Sequence, residues 1–301
     1  MKFSREGALI FWSIAAIFLG FAFGVGLCGL LLRDLLVKAV FLCSFQVIWS
    51  LVVGALWHAS LTAPPTLPTQ FCLPKEVAAL LPNKKSERIA EGVMELCVQV
   101  VRERALQVSV QKDDRGTSSV NVCVLCACIK PRRCHHCARC GCCVPRMDHH
   151  CAFLGVCVHV ANHKAFLLFL FYILLLSVAV LAVGFPPIAL HCTRLDQLDH
   201  SAVLVALVLV IVGYSFAVSV YTCVLLALAP LQLSIILTNV TKLERMAGVY
   251  SYASASAASN WRAIFGPNPW LWFWPKDTRL DSGFFYETIC YGYMDASKKL
   301  D

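Results

Sequence analysis

The sequence predicts an α-helical integral membrane protein, with four apolar spans and a small cytosolic cysteine-rich domain between the second and the third. Three observations carry that reading. The 301 residues are 58% hydrophobic and 15% charged, and mean hydropathy is +0.69, outside the range of soluble globular domains. Four apolar runs are long enough to cross a bilayer as helices. Between the second and third runs, residues 123 to 163 hold ten of the 17 cysteines and six of the nine histidines, more than packing requires.

In chain order, residues 1–7 are a short N-terminus, expected in the cytosol. Residues 8–32 carry no charge, enough to cross a hydrocarbon core of roughly 30 Å. Lys2 and Arg5 resemble a signal-peptide leader, but the apolar run is too long for one and lacks a small-x-small exit, so a retained span is expected. Arg33, Asp34 and Lys38 form a polar turn, and a second span follows at 39–57, ending in the interface-type Trp57.

Residues 58–122 form a polar linker. Together with the cysteine-rich domain at 123–164, this segment holds 14 of the 26 Lys and Arg residues between positions 58 and 165, which places it in the cytosol by the positive-inside tendency. Pro64, Pro65 and Pro68 predict an irregular exit from the membrane. Ser86 to about Val108 reads as an amphipathic helix with Ile89, Val93, Leu96, Val100 and Leu106 near one face. It is expected to pack beside the cysteine domain or to lie on the membrane surface.

A third span is expected at 165–190, bounded by Pro186 and Pro187. A short non-cytosolic loop follows. The apolar stretch 202–237 is too long for one perpendicular crossing and too short for two, so it predicts one long or tilted helix disturbed near Pro230. The tail, 238–301, contains an aromatic group of Trp261, Trp270, Trp272, Trp274, Phe265 and Phe273, expected to anchor at the interface. Asn239-Val240-Thr241 would be a cytosolic and therefore unglycosylated sequon. No internal repeat is apparent. The net charge of +8 fits topology or anionic lipid better than nucleic acid.

The clustered CxxC spacing and the absence of a cleavable signal favour reduced thiolates over disulfides. Thiolates with imidazoles are the ligand set zinc prefers. The CxxC pairs include Cys123 with Cys126, Cys137 with Cys140, and Cys140 with Cys143. With His136, His150 and Cys157 they can close two four-coordinate sites. Spacing leaves the partition open, because Cys128, Cys134, Cys142 and His135 sit beside plausible ligands. A second signal is Asp148-His149-His150-Cys151. If one histidine is a ligand, the other can take a proton from a nearby thiol while the carboxylate orients it, which would make Cys151 an activated nucleophile. Metal ions and basic neighbours would also lower its pKa. The plainer alternative makes Cys151 one more metal ligand.

Asp148-His149-His150-Cys151 is preceded by Cys123-x2-Cys126-x3-Lys130-Pro131-x-Arg133-x2-His136-Cys137-x2-Cys140-x2-Cys143. Together they resemble the cysteine-rich domain of DHHC-type protein S-acyltransferases. The resemblance implies two structural Zn2+ ions, one held by Cys123, Cys126, His136 and Cys143, the other by Cys137, Cys140, His150 and Cys157. It implies Cys151 as acyl-accepting nucleophile, His149 as base and Asp148 as its partner. The implied donor is a long-chain acyl-CoA such as palmitoyl-CoA, with Lys130 and Arg133 toward its phosphates. The implied acceptors are protein substrates with membrane-proximal cysteines.

The chain departs from the family pattern at Ala152-Phe153, Gly155-Val156 and Val158-His159. The family's TTxE element stands as Thr241-Lys242-Leu243-Glu244, where a lysine side chain would either support Asp148 or divert it from His149. The Asp-Pro-Gly element is absent, and Asn260, Trp261, Phe265 and Gly266 resemble the family's tail element. Lys298 and Lys299 resemble a dilysine retrieval address, so the expected location is the endoplasmic reticulum or Golgi with both termini cytosolic. A catalytically inactive zinc-stabilised scaffold is the competing reading. A nucleic-acid-binding finger fails because membrane spans flank the cluster and no base-reading helix follows it.

Overall fold

The structure is a computed structural model that describes residues 34–82, 88–114, 116–192, 202–250 and 256–278. The predicted first span at 8–32, the loop around 193–201 and the dilysine tail lie outside these residues. Among the described residues, three helices are long and apolar enough to cross a membrane, over Leu35–Leu61, His163–Ala182 and Phe216–Thr238.

The first helix, α1 (Leu35–Leu61), starts where the Asp34 side chain accepts the Val37 backbone N–H at 3.0 Å, so the polar turn is an N-cap. Two short helices follow: α2 (Lys75–Ala78) and α3 (Glu91–Glu103). The amphipathic helix is shorter than its periodicity suggested, and its buried face is Cys97, Val98, Val100 and Val101, with Leu96 exposed. The turn beyond Glu103 departs because Ala105 adopts φ 49°. That face packs with Phe71, Leu73, Val77, Leu106, Val108, Val120 and Ile129 into a core of its own, joined by the hairpin of β1 (Val110–Lys112) and β2 (Ser118–Val120). The helix therefore packs beside the cysteine domain.

The cysteine-rich segment is three antiparallel hairpins: β3 (Val122–Cys123) with β4 (Cys128–Ile129), β5 (His135–Cys137) with β6 (Cys142–Val144), and β7 (His149–Cys151) with β8 (Val156–Val158). Their registers repeat every 14 positions. Cys123 faces Cys128, Cys137 faces Cys142, and Cys151 faces Val156, while His136 faces Cys143 and His150 faces Cys157. The turn residues keep the same step, with Ala127, Gly141 and Gly155 all at positive φ, 46°, 69° and 69°. The absence of a repeat expected from the sequence is thus corrected. The period is also written in the sequence, where CxxCxC at 123–128 recurs at 137–142 and His-His-Cys-Ala at 135–138 recurs at 149–152.

The long helices α4 (His163–Cys192) and α5 (Ala202–Thr238) run on from this domain. Neither stops at its prolines: α4 continues past Pro186 and Pro187, and α5 contains Pro230. Membrane helices tolerate proline because neighbouring groups re-satisfy the freed backbone. At 37 residues and ~1.5 Å rise per residue, α5 is about 55 Å long, the single long helix its sequence predicted.

Short α6 (Lys242–Met246) and α7 (Ala257–Phe265) follow. The main core joins α1, α4, α5 and α7 around Phe45, Trp49, Val52, Phe166, Phe169, Tyr172, Leu225, Ile236 and Ile264. Leu154, Val158 and the partly buried Cys151 pack on that same cluster, which fixes the third hairpin to the membrane helices.

Candidate active site and metal centres

Each of the first two hairpins makes a tight knuckle whose two cysteines point into one space. Cys123, Cys126, His136 and Cys143 bring one ligand atom each to within 4.8 Å of one another, and so do Cys137, Cys140, His150 and Cys157. The second set is the first displaced by 14 residues. In the first, His136 Nδ1 lies 3.4 Å from Cys123 Sγ and 3.3 Å from Cys126 Sγ. In the second, His150 Nδ1 lies 3.4 Å from Cys137 and Cys140 and 3.6 Å from Cys157, with 3.5 Å between the Cys140 and Cys157 sulfurs. Bonds of ~2.3 Å to sulfur and ~2.0 Å to nitrogen, at tetrahedral angles, give edges of about 3.5–3.8 Å. Three thiols and one imidazole at these spacings fit a zinc ion in each set.

Consecutive His136 and Cys137 serve different sets because alternate residues of a strand point to opposite faces. The central hairpin therefore contributes to both centres.

The third hairpin repeats the knuckle without its ligands. Cys151 stands where Cys123 and Cys137 stand, but the next CxxC position is Leu154, fully buried, and the facing residue is Val156. What survives is the backbone geometry. In the second knuckle the Cys140 N–H points at Cys137 Sγ at 3.4 Å, with Arg139 N–H also donating to that sulfur. At Cys151 the amides of Phe153 and Leu154, two and three residues on, donate in the same way. A backbone that elsewhere donates to a candidate metal ligand here donates to a cysteine outside both ligand sets.

His149 adds to that. Its Nδ1 lies 2.8 Å from Asp148 Oδ2, and its ring bonds the Cys151 side chain. Burial opposes charge on all three groups. Several favourable contacts together outweigh it: the His149 bond, the nearby His163 and the Lys242 amide hold the carboxyl down at about 2, and the bonds to Asp148 and Cys151 with their charges push the imidazole up to about 9. For Cys151, burial raises the thiol, but the His149 bond and the two amides outweigh it and the net shift is downward. The arrangement favours an imidazolium–thiolate pair. The His149 ring meets Phe166 edge-on at 5.6 Å between centroids, and Phe153 stacks on Phe169 at 5.7 Å, so the aromatic that stands at 153 is an anchor to α4. Tyr221 of α5 is within electrostatic reach of the Cys151 sulfur.

Asp148 is itself positioned from far along the chain. Its Oδ1 accepts the backbone N–H of Lys242 at 2.7 Å, at the first position of α6. The Lys242 side chain is exposed. The two alternatives drawn for that side chain are both replaced, since position 242 acts through its amide. Thr241 caps α6 and forms a capping box with Glu244, and Glu244 pairs with Arg133 at 2.6 Å and 2.9 Å. The phosphate contact expected of Arg133 is corrected accordingly. Arg133 is 6% exposed, and its guanidinium also binds the side chain and carbonyl of Asn239, so it locks α6 to the hairpins. Lys130 is half-buried.

The contacts of four residues escaped the sequence reading. Asn239, at φ 55°, ends α5 and receives both Arg133 and Arg146. Asn162 donates to the Ala59 and Cys157 carbonyls at 2.9 Å each. His159 takes the Ala161 N–H on Nδ1 and reaches the Thr62 carbonyl with Nε2 at 3.2 Å, so it is a bolt to the end of α1. Lys164 Nζ donates to the Leu271 carbonyl and Thr278 Oγ1, strapping the tail over α4, where the Tyr172 hydroxyl also bonds the Phe273 carbonyl. The only hint was that polar groups flanking apolar spans need partners.

The family model for the DHHC palmitoyltransferase domain matches residues 117–249. Palmitoyltransferase ZDHHC20 of Bos taurus is 31% identical over 260 residues, 84% of this chain and 67% of that protein. Palmitoyltransferase ZDHHC15A of Danio rerio is 28% identical over 95% of this chain and 87% of that protein. Palmitoyltransferase ZDHHC15 of Xenopus laevis is 30% identical over 83% and 72%.

Proposed function

The chain belongs to the DHHC palmitoyltransferase family, and from that premise we propose that it transfers a long-chain acyl group from acyl-CoA to protein cysteines through an acyl-Cys151 intermediate. The observation that carries this reading is the Asp148–His149 bond beside a cysteine outside both ligand sets.

In the proposed first step the Cys151 thiolate attacks the thioester carbonyl, the bond to the CoA sulfur breaks, and the leaving thiolate takes the proton held on His149. In the second, His149 removes the proton of a substrate cysteine, whose sulfur attacks the acyl-Cys151 carbonyl and releases the Cys151 thiolate. Asp148 keeps its charge throughout, holding the imidazole in orientation and stabilising its cation. Bound zinc would supply structural cross-linking of the hairpins. Lys130 is the cation proposed toward the CoA phosphates.

Cys151 packs on the core shared by α1, α4 and α5, which supports a lipid-facing acyl slot among these helices and substrates whose cysteines lie close to the membrane. The proposed organisation is four spans with the linker 58–122, the domain 123–164 and both termini in the cytosol of an endoplasmic-reticulum or Golgi membrane.

The test is autoacylation of purified protein with labelled acyl-CoAs of graded length. Wild type is expected to give a hydroxylamine-sensitive adduct and transfer to an acceptor cysteine, and Cys151→Ser to give neither. Labelling and transfer unchanged in Cys151→Ser would overturn the mechanism. Wild-type protein that holds zinc without transferring would identify the chain as a scaffold.

A further inference from the structure

The first metal centre carries two thiols more than its ligand set uses. Cys128 and Cys134 are 1% and 5% exposed and cluster with Cys123 and Cys143. Cys128 Sγ lies 3.8 Å from Cys143 Sγ, and the Cys134 side chain also bonds the Cys143 sulfur. The 14-residue repeat keeps a cysteine at one counterpart of Cys128 and at neither counterpart of Cys134. The counterparts of Cys128 are Cys142 and Val156, and those of Cys134 are Val120 and Asp148. Their burial keeps them from water and from any protein substrate, so neither serves as an acyl acceptor.

We propose that Cys128, Cys134 and Cys143 form a second, sulfur-only metal site abutting the first, with the Cys143 thiolate shared between the two ions, and that it takes one soft monovalent cation of the copper(I) class. Two thiolates on one three-coordinate ion stand about 4.0 Å apart when the metal–sulfur bonds are ~2.3 Å, close to the 3.8 Å found between Cys128 and Cys143. Soft thiolates select soft ions, and three sulfurs suffice for copper(I), whereas zinc seeks a fourth ligand. The second centre has no equivalent, because its counterpart of Cys134 is Asp148, engaged with His149.

Full-length protein, zinc-loaded in detergent micelles, is titrated anaerobically with copper(I) against a chromogenic copper(I) chelator, and both metals are counted per chain. One copper retained with both zinc ions still bound is expected in wild type, falling to none in Cys128→Ser/Cys134→Ser with zinc unchanged. Copper that does not survive the chelator, that displaces zinc one for one, or that the double variant holds equally well overturns the site. X-ray absorption at the copper edge of wild type decides independently of how the variant folds. A shell of three sulfurs supports the assignment, and nitrogen or oxygen in the shell refutes it.

Discussion

At the residue scale, position 242 separates what a side chain does from what a backbone does. Lys242→Ala is expected to leave acyl transfer within about twofold of wild type, because the Asp148 partner is the amide. Lys242→Pro removes that amide at a first-turn position where helices accept proline, and Thr241 before it is already extended at φ −69°, ψ 162°, as a residue preceding proline must be. A hydrogen bond to a charged group is worth ~1.5–3 kcal/mol, so transfer should fall about 10- to 100-fold, measured as the rate of acyl transfer with zinc content as the control for folding. Equal rates in the two variants would mean the amide does not matter. Asp148, His149 and Cys151 were legible because they are adjacent in sequence. The amide of Lys242, 94 positions from Asp148, was not, since a side-chain reading of residue 242 looks at the wrong atoms. Arg133 was misread for a similar reason. A basic residue in a basic segment suggests an exposed cation, and only Glu244, 111 positions away, shows why it is buried.

At the scale of elements, α6 is a helix of five residues, too short to persist alone. Its capping box and the Arg133–Glu244 pair hold it, with both side chains at 4% exposure or less. Removing one partner of a buried pair leaves the other charge unpaired, at a cost of about 3–5 kcal/mol. Glu244→Ala is therefore expected to lower thermal stability strongly and to weaken transfer through the displaced Lys242 amide. Arg133→Met/Glu244→Leu, which removes both charges, should recover much of the stability and little of the transfer. Thermal melting and acyl-transfer rates on the same preparations check this, and parallel recovery of both would detach α6 from Asp148. The long helices were readable from apolar length alone. The bounds of α5, Ala202–Thr238, match the apolar stretch 202–237, whereas the start of α1 at Leu35 was missed because it depends on the single side chain of Asp34. The face of α3 lay about one position away from the one its periodicity suggested, since the core that selects it includes Phe71, Val120 and Ile129, all outside the helix.

At the scale of the molecule, hydropathy and cysteine density were enough to place a thiol-rich domain between apolar helices, while the docking of that domain was hidden. His159, Asn162, Lys164 and Asn239 join it to α1, α5 and the tail, and each contact spans a sequence distance that pattern reading does not cross. The central hairpin has a further consequence. It lends His136 and Cys143 to one centre and Cys137 and Cys140 to the other, so two bound ions would be links of a chain that share one link. Occupancy of either orders ligands of the other, and metal uptake should be cooperative. In a graded chelator titration, intermediates with one zinc should be scarce, and zinc loss should coincide with the loss of hairpin structure by circular dichroism and of autoacylation at Cys151. Stepwise release, with a stable one-zinc species, would show that the hairpin holds its shape without both ions. A domain of this kind switches as a whole, so a cell that withdraws zinc would meet an all-or-none enzyme, with no graded loss of rate.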